Sequence, residues 1–318
     1  MKEGVDIKIL KLAPACKNYL WGGRKLIDDY GINYDGKILA EAWTLSAHKD
    51  GASTITNGKY TGKTFRDYLN AEGLKVLGEH CRRFKDFPIL TKLIDAQDNL
   101  SIQVHPSDDY ALKYEGQLGK HEMWFILDAA PNSFIYYGLN RAVTKDELAE
   151  RIKSGTLLEI LRKVPVQRGD CYFIPAGTIH SVGKGILLAE IQENSNVSYR
   201  IYDYDRIGVD GKTRELHVDK AVDVASLTPV EDKKNYPHLA TCDYFTVDKI
   251  YLDGKIITRL EGTVTAESFL SILILDGQGK IFSGDEVLSY KRGDTFFIPA
   301  DSGKWTLEGT ADALLTRC

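Results

Sequence analysis

The sequence predicts a mainly β protein built of two jelly-roll barrels, the first carrying helical insertions, and three observations predict it. One phrase occurs twice, as RGDCYFIPAGTIHSV from Arg168 and as RGDTFFIPADSGKWT from Arg292. Each copy has a second match upstream, FILDAAP from Phe125 and LILDGQG from Leu273. Short strand-like runs recur through the chain with Gly, Asp, Asn or Pro near their ends, the pattern of an all-β barrel.

Early in the chain, TFRDYLNAEGLKVLGEHCRRF has helical patterning. NLSIQVHP, MWFILDA and SFIYYGL read as strands. The insertion between the halves of the first copy, TKDELAERIKSGTLLEILRKVP, reads as helical on both sides of a Ser-Gly break. Thr144 and Glu147 stand there at capping-box spacing, and Leu148 and Ile152 one turn apart. In each repeated phrase Gly-Asp marks a tight turn, the apolar run a strand and the Pro its end. GILLAEIQ and VSYRIYDY complete the first unit. HVDKAVDVASLTPVEDKKNYPH reads as a helix followed by a polar connector, which puts the boundary near Thr228 to Pro237; DKIYL and FLSILIL open the second unit.

With 318 residues, 43% of them hydrophobic, the chain can bury sizeable cores. The start, MKEGVDIKILKLAP, alternates charged and apolar residues and offers neither a signal core nor the roughly 20-residue apolar span of a membrane helix, so no membrane partner and a cytoplasmic location are expected. The five cysteines are odd in number, far apart and without a C-x-x-C pair, which argues for reduced thiols and against a thiolate zinc site. Lys and Arg total 41 against 45 Asp and Glu, a net charge of −4 with no basic run, so nucleic acid is not an expected partner.

Alternation along a strand puts Ser101, Gln103 and His105 of SIQVH on one face and Ile102 and Val104 on the other. GKHEMW likewise groups Lys120, Glu122 and Trp124 and sends His121 to the opposite face. His180 follows the first copy of the repeated strand. Singly, each has an ordinary structural explanation: a His beside a Pro turn, a turn His, a solvent-facing Glu. Together, two imidazoles, a carboxylate and a neutral amide oxygen make a set of N and O ligands suited to zinc or another first-row divalent ion. Glu190 stands inside the apolar run GILLAEIQ, where a charge is costly unless paired, and Arg200 stands among Tyr199, Tyr202, Asp203 and Asp205. The second copy has Lys304 in the place of His180 and Leu270 in the place of Glu122, so the scaffold phrase does without both.

These residues carry a resemblance. NLSIQVHPSDDYA, GKHEMWFIL, PAGTIHSVGKGILLAEIQENSNVSYRIYDYDR, YLWGGRKL and EAWTLSAH resemble the type I mannose-6-phosphate isomerases in their short bacterial form, over nearly the whole chain. The resemblance implies a cupin fold, one zinc ion per chain and a sugar phosphate substrate, mannose 6-phosphate interconverting with fructose 6-phosphate. It assigns the zinc to Gln103, His105, Glu122 and His180, an active-site arginine to Arg200 and a pocket-lining lysine to Lys120. Residues 1–230 are then a catalytic cupin domain with helical insertions, and 231–318 a smaller degenerate cupin domain lacking the metal site. Aldose-ketose isomerisation through an enediol needs a stabiliser of the developing oxyanion, for which Arg200 fits, and a general base, for which Lys120 and Glu190 are the candidates. Two positions depart from the family pattern: His121, more often a small polar residue, and Asn196, an Asp in some longer members. Three other readings stand beside this one: a metal-dependent cupin dioxygenase, a non-catalytic sugar-binding cupin, and an isomerase of a neighbouring sugar phosphate. The dioxygenase sites usually keep a close pair of histidines, where this chain has Gln103 two residues from His105.

Overall fold

The computed structural model of the chain describes residues 8–208, 211–231 and 235–318. Two antiparallel sheets form the first barrel. One has six strands, in the order Cys171–Ile174, Glu122–Ala129, Ile186–Glu193, Ile89–Ala96, Glu41–Leu45, Ala15–Lys17. The other has five, in the order Tyr199–Tyr202, Ile102–Val104, His180–Val182, Phe134–Leu139, Leu161–Pro165. Alternation along each strand sorts the side chains. Trp124, Ile126, Ile186 and Leu188 of the six-stranded sheet meet Ile135, Tyr137 and Val182 of the five-stranded one in a common core. Phe125, Leu127 and Leu187 point the other way.

The second barrel is a single nine-stranded sheet. Its main path runs Ala240–Thr241, Thr246–Leu252, Gly303–Arg317, Leu270–Ser283, Thr295–Ile298, Leu10–Ala13, Thr54–Ile55. Arg259–Val264 and Glu286–Lys291 pair on the two long strands Gly303–Arg317 and Leu270–Ser283. Leu10–Ala13 enters this sheet from the far end of the chain, with Leu10 opposite Phe297. A third core lies between the barrels, where the outward faces of equivalent strands meet: Phe125 and Leu127 from the first, Leu273, Leu275 and Phe297 from the second.

The repeated phrase folds the same way twice. Gly169 N–H donates to the Ile126 carbonyl at 2.9 Å, and Gly293 N–H to the Ile274 carbonyl at 2.8 Å. The following carboxylates close both turns alike, Asp170 accepting from Gln167 N–H and Asp294 from Lys291 N–H at 2.9 Å each. Both glycines have positive φ, 94° and 85°, which a Cβ would disfavour. The upstream match is in register as well: Glu122 lies opposite Ile174, and Leu270 opposite Ile298.

The helical expectations hold only in part. Thr144 caps the helix Lys145–Lys153 by accepting from Glu147 N–H, but the Glu147 carboxylate turns to Arg141 instead of closing a capping box. Beyond the Ser-Gly break, TLLEILRKV is not a helix. It makes a single 3-10 turn, Leu157–Ile160, and then the strand Leu161–Pro165, which pairs with Phe134–Leu139. Leu157, Ile160 and Leu161 are buried there against Ile102, Val104 and Leu148, so an open sheet edge and an apolar layer override the local pattern. In the early segment the helix is only Phe65–Glu72, held by a reciprocal Thr64–Asp67 box and ended at Gly73; 3-10 turns follow. The helix in HVDKAVDV spans Val218–Val224. Residues 232–234 of the expected connector and 1–7 of MKEGVDIKILKLAP lie outside the described residues.

Candidate metal centre and active site

The two sheets bring together three residues that could hold a metal ion in the first barrel. His105 follows the strand Ile102–Val104, His180 begins His180–Val182, and Glu122 begins Glu122–Ala129 on the facing sheet. Their ligand atoms all lie within 4.8 Å of one another, and all three side chains are buried. His180 Nε2 stands 3.2 Å from Glu122 Oε1 and His105 Nε2 stands 3.5 Å from Oε2.

Each imidazole is oriented through its other nitrogen. His105 Nδ1 donates to the Val197 carbonyl at 2.9 Å and His180 Nδ1 to the Thr178 carbonyl at 2.8 Å. A carbonyl can only accept, so both Nε2 atoms carry lone pairs aimed at the same point. Burial, and then the charge of Lys120, pushes His105 down to about 3; burial likewise lowers His180. Burial opposes the charged form of Glu122 too, yet the Lys120 ammonium beside it holds it well below the usual carboxylate range. Two neutral imidazoles therefore face a carboxylate. Both Nε2 atoms and both Glu122 oxygens are buried without an aligned hydrogen bond. Four converging lone-pair atoms with no aligned hydrogen bond form a cradle for a cation, and mixed imidazole and carboxylate chemistry suits a first-row divalent ion.

Gln103 lies opposite His180 in the strand ladder and Arg200 lies opposite Gln103, so the three stand in a row on one sheet face. The Gln103 amide oxygen accepts from Ser198. Arg200 is not packed onto the three converging ligands. Its Nη1 donates to the Glu215 carbonyl at 2.9 Å, while Nε is buried without a partner. Burial and the neighbouring Arg214 lower its pKa.

Charged groups continue the site beyond the ligands. Lys120 Nζ is 3.0 Å from Glu122 Oε2 and 4.0 Å from Glu190 Oε1. Glu190 also meets Lys92 Nζ at 2.9 Å and accepts from Trp124 Nε1 at 3.0 Å. Lys92 reaches on to Glu41 at 3.7 Å, and Trp43 Nε1 donates to Glu41 at 2.7 Å. Lys92, Glu41 and Trp43 were not singled out by sequence. The available signal was a lone lysine within the apolar run ILTKLIDA, the same kind of signal that marks Glu190. His121 faces away from this cluster, its ring stacked on Phe173 at 6.1 Å. Asn196 donates to Asp50 at 3.1 Å.

Residues 9–133 match the family model for the phosphomannose isomerase type I catalytic domain, and residues 235–317 the model for the mannose-6-phosphate isomerase cupin domain. The chain is 38% identical to the mannose-6-phosphate isomerase ManA of Bacillus subtilis (strain 168), over 95% of this chain and 96% of that protein. It is 35% identical to the mannose-6-phosphate isomerase of Streptococcus mutans, over 93% of each. Its structure matches the crystal structure of the Bacillus subtilis mannose 6-phosphate isomerase with a TM-score of 0.88 at 36% identity, covering 98% and 99% of the two chains. The fold is shared with a protein from Archaeoglobus fulgidus at a TM-score of 0.80 and 21% identity.

Proposed function

The chain belongs to the type I phosphomannose isomerase family and is a mannose-6-phosphate isomerase; from that premise we propose that it is zinc-dependent and works through an enediol. The observation that carries the proposal is the convergence of His105 Nε2, His180 Nε2 and the Glu122 carboxylate, four buried lone-pair atoms of which only Glu122 Oε2 has a cation, Lys120, beside it. These three residues, with Gln103 beside His180, would hold one zinc ion per chain. When bound, the ion would supply Lewis-acid polarisation of the sugar oxygens.

The chain's own residues account for the rest. One proton leaves C2 of the aldose and returns to C1 while another passes from O2 to O1, and Glu190 and Lys120, 4.0 Å apart, form an acid–base pair able to take and hold the proton from C2. Lys92 and Trp124 fix the Glu190 carboxylate on its other side. Arg200 brings a guanidinium with a buried, unpartnered Nε to the same sheet face, a fixed donor for the oxyanion that develops at the sugar oxygens. All of these residues fall between 92 and 200, inside the expected catalytic domain 1–230; the expected 231–318 domain without a metal site also takes the strands Leu10–Ala13 and Thr54–Ile55 into its sheet, so the barrel boundary does not coincide with a single cut near 230. Among the described residues no helix is long and apolar enough to cross a membrane; a cytoplasmic location belongs to the same proposal.

The test is conversion of mannose 6-phosphate to fructose 6-phosphate by the purified protein, with and without a chelator, beside metal analysis. Activity that survives complete removal of metal would overturn the zinc reading.

A further inference from the structure

We infer that Glu193 is a positioning residue for the active centre: its buried carboxylate clamps residue 121 from outside the barrel, so that Lys120 and Glu122 on either side face inward. The inference rests on the reading of Glu122 as a metal ligand. It goes beyond that reading because the Glu193 carboxylate bonds to residue 121, on the strand face opposite Glu122.

The strand Ile186–Glu193 pairs with Glu122–Ala129 up to the rung where Gln192 lies opposite Glu122. The next pair would be Glu193 and His121, and there the ladder is only half formed. Glu193 N–H donates to the His121 carbonyl at 3.1 Å. The return bond cannot form as usual, because the Glu193 carbonyl is engaged elsewhere: Gln192 Nε2 reaches it at 2.8 Å and Ser195 N–H at 2.7 Å. The side chain takes its place. Glu193 Oε1 accepts from His121 N–H at 2.7 Å and pairs with His121 Nδ1 at 2.5 Å.

The substitution has a geometric reason. Just past Glu193 the chain turns, and the turn delivers the Val197 carbonyl to His105 Nδ1 and the Ser195 hydroxyl to the Leu118 carbonyl at 2.7 Å. Without the side-chain bond, residue 121 would be held at the point where the turn begins by the single Glu193 N–H bond to its carbonyl. Glu193 is fully buried, and its second oxygen has no hydrogen bond. Strand pairing alone does not require such a costly group. His121, set between Lys120 and Glu122 and braced on Phe173, is the only outward-facing residue of that three-residue stretch and so the one place to hold it from the side away from His105 and His180.

The experiment compares Glu193→Ala and Glu193→Gln with the full-length wild type. Zinc affinity is measured by competition with a chromophoric chelator, the absorption spectrum is taken with cobalt in place of zinc, and kcat is measured separately from KM. Losing an outer partner of a metal site lowers affinity or activity by about 10- to 100-fold. Glu193→Ala is expected to lose zinc affinity on that scale, shift the cobalt spectrum and lower kcat more than it raises KM. Glu193→Gln keeps an acceptor oxygen for His121 N–H and is expected to restore most of each quantity. Should the alanine variant not fold, Glu193→Asp draws the oxygen back by one methylene and should show the same losses on a smaller scale. A folded Glu193→Ala or Glu193→Asp protein with wild-type affinity, spectrum and kcat would overturn the inference, as would failure of glutamine to rescue. Failure of the metal reading itself would look different: His180→Ala would then bind zinc as the wild type does.

Discussion

Glu122 and Leu270 occupy the same place in two copies of one barrel, each opposite an isoleucine at the end of the repeated strand. Around Glu122 the first barrel buries His105, His180, Lys92, Lys120 and Glu190. Around Leu270 the second buries Ile272, Ile274, Phe296, Ile298 and Leu315. The second arrangement is what folding alone favours, since buried apolar side chains stabilise by about 25 cal/mol per Å² and ask for no partners. Each buried ion in the first costs several kcal/mol, only partly returned by pairing. The same turn, strand and register accept either filling. The charges of the first barrel are therefore not demanded by the fold, and the difference between copies separates what the scaffold needs from what the chemistry needs.

The largest effect expected from breaking this contrast comes from His180→Ala, which gives the first barrel a feature of the second. One of about four ligands is lost from a site that must also hold substrate. Bound zinc and activity should fall together, activity by more than the roughly 10²- to 10³-fold typical of losing a single charge-stabilising donor. Metal analysis beside the isomerase assay checks it, and full zinc occupancy in the variant would remove His180 from the ligand set.

Arg200→Ala comes next. The ligands are untouched, so zinc and fold should remain while turnover falls on the order of 10²- to 10³-fold and substrate binding weakens much less. Lysine should rescue only in part, because an ammonium lacks the planar fork that holds two oxygens. A steep rise in KM with nearly constant kcat would show instead that Arg200 binds the phosphate, which is the same in ground and transition states.

Much of this contrast is legible in the sequence, because strand parity is a strong constraint: a one-residue rule separates Gln103 and His105 from Ile102 and Val104, and the second copy of the phrase shows which residues are dispensable to the turn. What parity cannot show is which distant strands meet. Leu10–Ala13 pairs with Thr295–Ile298 across nearly the whole chain, and Lys92 meets Glu190 only because their strands are neighbours. TLLEILRKV departs from the helix its pattern predicts for a related reason. Its local pattern fits a helix, and the decision was made by the sheet edge at Phe134–Leu139.

Lys92→Met sharpens the comparison on the side of stability. Burial pushes the Lys92 ammonium toward neutrality, but Glu190 and Glu41 outweigh burial and raise its pKa above the ordinary lysine value. A raised folded-state pKa means that the contribution is fully present below about pH 10.4 and is lost as the pH climbs through the folded value. Methionine leaves Glu190 and Glu41 without this cation, and breaking a buried pair from one side costs about 3–5 kcal/mol. The urea midpoint at neutral pH should drop accordingly, with the gap to wild type closing in strong alkali. An unchanged midpoint would mean that the polar half of the first barrel is no more expensive than the apolar interior of the second.

The smallest effect should come from Lys304→Ala, in the position that corresponds to His180. Lys304 is the second residue of the long strand Gly303–Arg317, opposite Thr263, and its side chain is exposed. His180 in the same role is buried and tied by Nδ1 to the Thr178 carbonyl. An exposed lysine outside a network contributes within about ±0.5 kcal/mol to stability, so the unfolding midpoint should hardly move. Zinc content should be unchanged, since Leu270, in the place of Glu122, offers no ligand, and turnover should stay within about twofold, the usual consequence of a change that touches neither transition state nor ligand. The measurement that matters is turnover in the folded, zinc-replete variant. A loss of tenfold or more there would mean that the second barrel supplies a group to the reaction, and the contrast between a chemical copy and a structural copy would have to be given up.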